Sequence, residues 1–234
     1  MTERRAIFPP PEHASPEGIV AVGGRPEADL LLTAYSQGIF PWPHEGWPML
    51  WFSPDPRFVL VPQEAHLSRS LRKLIAKSTL EIRADSAFGD VVRRCSEKPR
   101  PGQDGTWITH GMIRGFRALA ERGLAHSIEA WRDGRMVGGL YGLALGNVFF
   151  GESMWSDEPN ASKICLATLL GNLVHWRFAL LDCQAATPTL AAFGAQDWPR
   201  RRFLALLGKA LEQPARPGPW TLALGPVEAA AVLD

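Results

Sequence analysis

The strongest strand signal in the chain lies in the segment AHSIEAWRDGRMVGGLYGLALGNVFFGE, which runs from Ala125 to Glu152. Its apolar and aromatic residues predict three strands in succession, at residues 125–132, 135–144 and 147–152. The Gly-Asn pair in LGNV predicts a hairpin turn between the second and third strands. We therefore expect this segment to form an antiparallel meander.

Helical and strand patterns lie on both sides of the meander. Before it, helices are predicted at residues 66–78, 86–95 and 109–122, with a short strand at 79–84. After it, Asn160 is expected to cap a long helix to His175, which precedes a buried strand at 178–184. A short helix after Thr187, a helix at 199–211 and a tail strand at 220–224 complete the pattern. This order predicts an α+β fold with a mixed, largely antiparallel sheet covered by helices.

Proline is dense near the start of the chain, from Phe8 to Pro62. A helix-like stretch at residues 26–37 precedes a loop rich in proline and tryptophan, and this loop ends in a strand. We interpret residues 1–62 as a small N-terminal domain and residues 63–234 as a larger domain. A chain of 234 residues is long enough for this division.

Composition restricts the function classes. The formal net charge is only +1, so a nucleic-acid partner would have to be bound by local patches of charge. Three cysteines without C-x-x-C spacing argue against a disulfide framework and a structural zinc site, and no metal is expected. No apolar run approaches the roughly 20 residues that a membrane span needs. The expectation is a soluble, cytoplasmic, monomeric protein without a membrane partner.

The strand LLDCQ, residues 180–184, carries polar residues at its end. Alternation along a strand predicts that Asp182 and Gln184 share one face, while Cys183 and Leu181 share the other. Cys183 is interpreted as a small buried apolar residue. The carboxylate and the amide must be either hydrogen-bonded in the following turn or functional. Glu152, at the predicted end of the meander, is likewise either a solvated loop residue or a functional acid.

Two further features are open to a binding or a structural interpretation. Trp42 and Trp107 lie beside proline- or glycine-rich segments, so their indoles would either stack on a base or pack between domains. The segment HLSRSLRKLIAKS predicts an amphipathic helix with four cations and no acid. Its charged face is either solvated or binds phosphate, and it consists of Arg69, Arg72, Lys73 and Lys77.

Several motifs in order resemble one family. They are AYSQGIFPW, WFSPDPR, TWIT, AHSIEAW, GGLYGLALGNVFFGESM, NASK and LLDCQ, and the resemblance runs from about Phe8 to the helix after Pro199. Their order and spacing are similar to those of leucyl/phenylalanyl-tRNA–protein transferases. That family moves leucine or phenylalanine, and sometimes methionine, from aminoacyl-tRNA to proteins that begin with arginine or lysine, which are then degraded. The resemblance implies an acetyltransferase-like larger domain and no cofactor.

The resemblance also implies roles for individual residues. Asp182 and Gln184 match the family's catalytic pair, and Glu152 matches its active-site acid. The aminoacyl-adenosine site would include Trp42, Trp107, Phe116 and Ser153, with Phe116 standing where a tyrosine is common. The pocket for the amino-acid side chain would involve Leu140, Phe149, Leu166, Leu169, Leu173 and Leu181. The tRNA would be held by Arg69, Arg72, Lys73 and Lys77.

Three other functions fit parts of the sequence, and each lacks a feature or leaves one unexplained. An acyl-CoA-dependent N-acetyltransferase of the same fold would need a glycine-rich loop before a helix, but the segment before the Asn160 helix reads SDEPN. A tRNA-binding module without catalysis would leave Asp182, Gln184 and Glu152 without a role. A cysteine hydrolase would require an activated Cys183, and no histidine lies at an informative spacing from it.

Overall fold

The computed structural model describes residues 8–44, 46–98 and 106–233. In this part of the chain ten strands form two sheets. The strands are β1 (Ile19–Val22), β2 (Phe40–Pro41), β3 (Leu50–Phe52), β4 (Arg57–Leu60), β5 (Glu81–Ala84), β6 (Ala125–Arg132), β7 (Arg135–Leu145), β8 (Val148–Ser156), β9 (Leu180–Gln184) and β10 (Gln196–Trp198). The α-helices are α1 (Ala28–Ser36), α2 (Arg69–Lys77), α3 (Phe88–Glu97), α4 (His110–Glu121), α5 (Ala161–His175), α6 (Pro188–Ala192), α7 (Arg200–Leu211) and α8 (Pro226–Ala231).

The larger sheet has seven strands in the order β10-β4-β9-β8-β7-β6-β5. The predicted meander is confirmed as β6, β7 and β8, which pair antiparallel. β8 and β9 are parallel neighbours, and α5 is the helix that crosses between them. The remaining pairs are antiparallel. The predicted α+β fold with a mixed, largely antiparallel sheet is thereby confirmed.

Helices cover both faces of this sheet, and alternate residues of each strand enter different cores. On β8, Phe150 packs in a core with α1, α3, α4 and α7, whereas Phe149 packs in a second core with α2 and α5. On β7, Tyr141 enters the first core and Leu140 the second. This alternation is what a sheet buried on both sides requires, since successive side chains point to opposite faces.

The smaller sheet, β1-β3-β2, forms a small N-terminal unit with α1. Its Trp51 and Phe52 pack in the same core as α4, so the unit is joined to the larger sheet by apolar contact. β4, at residues 57–60, lies in the larger sheet between β9 and β10. The domain boundary after residue 62 and the acetyltransferase-like label stay predictions.

The predicted tail strand at residues 220–224 is wrong. Side chains of the larger domain take its backbone donors: Trp220 N–H donates to Asp85 Oδ2 at 2.7 Å, and the N–H groups of Ala223 and Leu224 both donate to Asn172 Oδ1. With these donors engaged, the segment runs as an irregular strap that ends in α8.

Two helix caps also differ from the sequence interpretation. Asn160 precedes α5 with a φ of 66° and makes no side-chain cap; Ser156 Oγ accepts the N–H of Ser162 instead. At α3, the predicted cap by Ser86 or Asp85 is replaced by the buried Glu129, whose carboxylate accepts N–H bonds from Ser86 and Ala87. A carboxylate at a helix N-terminus accepts from free N–H groups and interacts favourably with the positive end of the helix dipole.

Candidate active site

A cavity of about 720 Å³ opens between the N-terminal unit and the larger sheet. One wall is the β2 segment with Phe40 and Trp42, and the other comes from β7, β8 and β9 with helices α5 and α6. Most of its lining is apolar. Glu152 is the only charged side chain among the described residues that line it.

Parallel pairing brings the two polar motifs together. Phe150 on β8 lies opposite Asp182 on β9. Continuing this register by two residues places Glu152, in the middle of β8, beside Gln184 at the carboxyl end of β9. The third strand of the meander was predicted to end at Glu152, but β8 continues to Ser156. Gln184 Nε2 donates to Glu152 Oε1 at 2.8 Å. The sheet therefore joins residues that are 32 positions apart in the chain.

Tyr35, on α1, completes this cluster from the N-terminal unit. Its hydroxyl donates to the same Glu152 Oε1 at 2.6 Å, and the residue has no exposed surface. Glu152 Oε1 therefore receives two donors, and Oε2 receives none from the described residues. Sequence reasoning missed Tyr35, although it stands within the quoted motif AYSQGIFPW.

Burial gives Glu152 an unusual charge state. Burial of its carboxyl group raises its pKa to about 7, and the negative charge of Asp182 adds to this effect. Hydrogen bonds from Tyr35 and Gln184 and the positive charge of Arg57 act in the opposite direction. Burial and the neighbouring Glu152 also raise the pKa of Tyr35 well above its usual value, so its hydroxyl stays a donor.

Asp182 lies behind the cavity in a buried ion pair. Arg57 on β4 donates from Nε to Asp182 Oδ1 at 2.8 Å and from Nη2 to Oδ2 at 2.6 Å, and neither side chain is exposed. A third donor, Arg57 Nη1, bonds the Gly38 carbonyl at 3.1 Å. Sequence reasoning missed Arg57 as well. The arginine in WFSPDPR was the available signal.

The strand alternation expected for LLDCQ does not hold at its end. Leu181, Cys183 and Gln184 line the cavity, whereas Asp182 does not. On the paired β4, Val59 lies opposite Asp182 and the next residue, Phe58, lies opposite Gln184, so Cys183 is an extra residue in a β-bulge. Gln184 has a φ of 64°, and this bulge turns its side chain into the cavity.

Cys183 is not suited to nucleophilic catalysis. Burial raises the pKa of its thiol well above the usual value, and the nearby Asp182 adds to the shift. The reactive form of cysteine is the thiolate, which this environment disfavours. Its Sγ donates weakly to the Leu181 carbonyl at 3.8 Å.

The predicted pocket residues mostly meet in the cavity. The residues that line it as expected are Trp42, Trp107, Ser153, Leu140, Phe149, Leu166, Leu169 and Leu181. Two predicted roles need correction. Phe116 packs edge-on against Tyr35 and Tyr141 in the core, and Leu173 is buried in the core around α5; neither lines the cavity.

The predicted basic helix is α2, which Ser68 caps by accepting the Leu71 N–H. Arg69, Lys73 and Lys77 are exposed on it. Arg72 is different, because its guanidinium donates to the Ala230 and Leu233 carbonyls and so holds the C-terminal strap. Just before α2, His66 N–H donates to the carbonyl of Phe193, next to the α6 wall of the cavity.

Within residues 8–44, 46–98 and 106–233, no three histidine, cysteine or acidic residues are grouped so as to hold a metal ion. Over the same residues, no helix has both the length and the apolar character needed to cross a membrane.

Comparison with known families identifies the family of the chain. The family model described as "Leucyl/phenylalanyl-tRNA protein transferase" matches residues 59–208, and that of its N-terminal domain matches residues 24–55. The chain belongs to the leucyl/phenylalanyl-tRNA–protein transferase family. The N-terminal match contains Tyr35, and the larger match contains Glu152, Asp182 and Gln184, so both matched regions of this chain contribute to the site.

Individual relatives agree with this family assignment. The chain is 53% identical over 219 residues to the leucyl/phenylalanyl-tRNA–protein transferase of Myxococcus xanthus, covering 94% of each protein. Proteins of the same name in Anaeromyxobacter sp. (strain Fw109-5) and Thiobacillus denitrificans are each 50% identical to it, over 222 and 218 residues. These matches cover 95% and 92% of this chain. The family resemblance inferred from the motifs is thereby confirmed.

Proposed function

We propose that this protein transfers leucine or phenylalanine, with methionine as a further donor, from aminoacyl-tRNA to proteins that begin with arginine or lysine. The acceptor is the α-amine of that first residue, and the modified protein becomes a substrate for degradation. The protein would act as a monomer in the cytoplasm. The observation that carries the proposal is an apolar cavity ending at one acid, Glu152, which is oriented by Tyr35 and Gln184.

The reaction exchanges an ester for an amide. The nitrogen of the acceptor amine attacks the ester carbonyl carbon, a C–N bond forms, and the C–O bond to the terminal ribose breaks. The ribose oxygen leaves with a proton while the amine loses one. Because the aminoacyl ester is already activated, the reaction requires no cofactor. An α-amine with a pKa of about 8 must be deprotonated before it attacks.

Glu152 is suited to binding that amine. Its Oε1 is held by two donors, which leaves Oε2 to accept from the incoming ammonium group or from the cationic side chain of the first residue. A carboxyl group with a pKa of about 7 carries a proton part of the time at neutral pH, which is the range in which a proton acceptor works best. Gln184 orients this carboxylate, and Asp182 holds the backbone of Gln184 through a 3.0 Å bond from its N–H.

The apolar part of the cavity would bind the donor. Its size lies within the range of small-molecule sites, and its leucine and phenylalanine lining matches an apolar side chain. Trp42 and Trp107, at the same cavity, offer indole surfaces for the terminal adenine. An apolar pocket discriminates by only about 1–3 kcal/mol per methylene, so several apolar amino acids would be accepted.

The exposed cations of α2 would hold the tRNA body. Arg69, Lys73 and Lys77 lie on the helix that begins beside the α6 wall of the cavity. If the last nucleotide of an aminoacyl-tRNA lies in the cavity, the phosphates of the preceding nucleotides would lie near these cations of α2. Lysine and arginine contacts to phosphate position a nucleic acid without reading its sequence.

The test is transfer of labelled leucine from leucyl-tRNA to a peptide that begins with arginine. A peptide with an acetylated N-terminus serves as the matched control, since its amine cannot attack. The labelled leucine is expected on the free peptide alone. Asp182→Ala should reduce the rate by about 100-fold or more, with tRNA binding retained, because a displaced reactive group loses about that much. Cys183→Ala should keep most of the rate.

Three results would contradict the proposal. Tight tRNA binding without transfer to any peptide would point to a binding module. Acetyl transfer from acetyl-CoA to the same peptide would point to an N-acetyltransferase. Loss of transfer in Cys183→Ala with retention in Asp182→Ala would assign the chemistry to the thiol.

A further inference from the structure

A chain of hydrogen bonds leads from Arg57 to the acid in the cavity. Arg57 bonds both oxygens of Asp182, Asp182 Oδ1 accepts the Gln184 N–H at 3.0 Å, and Gln184 Nε2 donates to Glu152 Oε1 at 2.8 Å. We propose that Arg57 is a positioning residue of the transfer site, which acts through Asp182 to fix Gln184 and Glu152 in their reactive arrangement. This inference rests on the proposed transfer reaction.

The residues around Arg57 hold its guanidinium group in a single orientation. Its centre lies 4.7 Å from the ring centre of Phe40 and 4.5 Å from that of Phe203, and its third nitrogen bonds Gly38. Phe40 also lines the cavity. A planar fork held between two rings fixes both oxygens of a carboxylate, which a lysine ammonium cannot do.

Gln184 is the residue that needs this support. Its φ of 64° is unfavourable for a residue with a side chain, and the Ala185 N–H closes a tight turn on the Cys183 carbonyl at 2.7 Å. Such a conformation persists only where its neighbours hold it. Asp182 Oδ1 holds the N–H of Gln184, and Arg57 holds Asp182.

The two charges of the pair act on Glu152 in opposite directions. The positive charge of Arg57 lowers the pKa of Glu152, and the negative charge of Asp182 raises it. The other groups facing this carboxyl are the Tyr35 hydroxyl and the Gln184 amide, which both favour its ionised form. Removal of the Arg57 charge should therefore raise the titration midpoint of Glu152, and removal of the Asp182 charge should lower it.

The experiment compares Arg57→Lys, Arg57→Gln and Asp182→Asn with Arg93→Gln, a control at an exposed ion pair on α3. One readout is the single-turnover rate from bound leucyl-tRNA to a peptide beginning with arginine. The other is the titration midpoint of Glu152, measured by carbon-13 NMR of labelled glutamate carboxyls and assigned with Glu152→Gln. The double variant Arg57→Gln with Asp182→Asn removes both buried charges, so that no uncompensated ion is left in the core.

Arg57→Lys is expected to lower the transfer rate about 100-fold with unchanged affinity for leucyl-tRNA, because the two-point hold on Asp182 is lost. Its Glu152 midpoint should stay near that of the unmodified protein. The midpoint should rise in Arg57→Gln, fall in Asp182→Asn and return toward the original value in the double variant. The control should leave both readouts unchanged.

Two results would overturn the inference: an unchanged rate in Arg57→Lys, or a Glu152 midpoint that moves in neither charge variant. A pair that only stabilises the fold would leave the single-turnover rate of the folded Arg57→Lys variant unchanged. If the unmodified protein transfers no leucine, the proposed function fails, and the Glu152 titration still decides whether Arg57 acts on the site.

Discussion

Glu152 has a carboxyl group whose protonation changes near neutral pH. Folding raises its pKa from 4.5 to about 7, chiefly because the group is buried. The folded protein therefore keeps a proton that the unfolded chain releases between these values. The stability contributed by the protonated form is fully present below pH 4.5 and is lost as the pH rises through 7.

Glu152→Gln should remove this pH dependence. A glutamine at position 152 can still accept from Tyr35 and Gln184, and it carries no charge to bury. We expect it to unfold at nearly the same temperature as the unmodified protein at pH 4.5. At pH 8 it should be more stable by roughly 1–3 kcal/mol. This is less than the full shift implies, because the residue is half-buried although its carboxyl group is enclosed by neighbouring atoms. Thermal unfolding at both pH values tests this, with the exposed Glu121→Gln as control. An equal difference at both pH values would contradict it.

Single residues differ in how far the sequence predicts them. Gln184 ends β9, where a polar residue after an apolar run is visible in the sequence. Glu152 was singled out for the same reason, but β8 continues past it to Ser156. Tyr35 and Arg57 were missed because their partners, Glu152 and Asp182, lie 117 and 125 positions away. An aromatic residue on an apolar helix and an arginine in a strand carry no local sign of such contacts.

Among the elements, the meander was predicted well because its pattern is local, whereas the strap after α7 was not. The path of the strap is set by hydrogen bonds from its N–H groups to distant residues, such as Asn172 on α5. Such contacts leave no periodic pattern in the sequence. α5 and α8 also approach each other closely. A Cβ added at Gly171 would lie 2.5 Å from Ala229 Cα, whereas one at Gly208 on α7 would meet nothing within 4 Å.

Two glycine substitutions should therefore have opposite effects on stability. Gly208→Ala should stabilise the protein by about 0.5–1 kcal/mol, because alanine favours helix and has room there. Gly171→Ala should destabilise it by roughly 1–3 kcal/mol, because α8 must move away from α5. Urea unfolding measures both, and limited proteolysis should show faster cleavage of the strap in Gly171→Ala alone. Stabilisation by both substitutions would show that α8 shifts without cost.

At the scale of the whole molecule, the charge balance restricts how a tRNA can bind. With a net charge of only +1, there is no global attraction, so the affinity must come from a local patch. The exposed Arg69, Lys73 and Lys77 form such a patch on α2. The neighbouring Arg72 belongs to the fold instead, since it binds the carbonyls at the end of the strap.

Removal of single charges separates these two roles. Arg69→Gln and Lys73→Gln should each weaken tRNA binding and reduce the slope of log affinity against log salt by about one, because each phosphate contact releases about one counterion. Lys209→Gln, at an exposed position on α7, should change neither quantity. Arg72→Gln should lower the unfolding temperature, since two strap carbonyls lose their donor. Filter binding of leucyl-tRNA across a salt series measures the slopes. Unchanged slopes in both α2 variants would make that face an ordinary solvated surface and place the tRNA elsewhere.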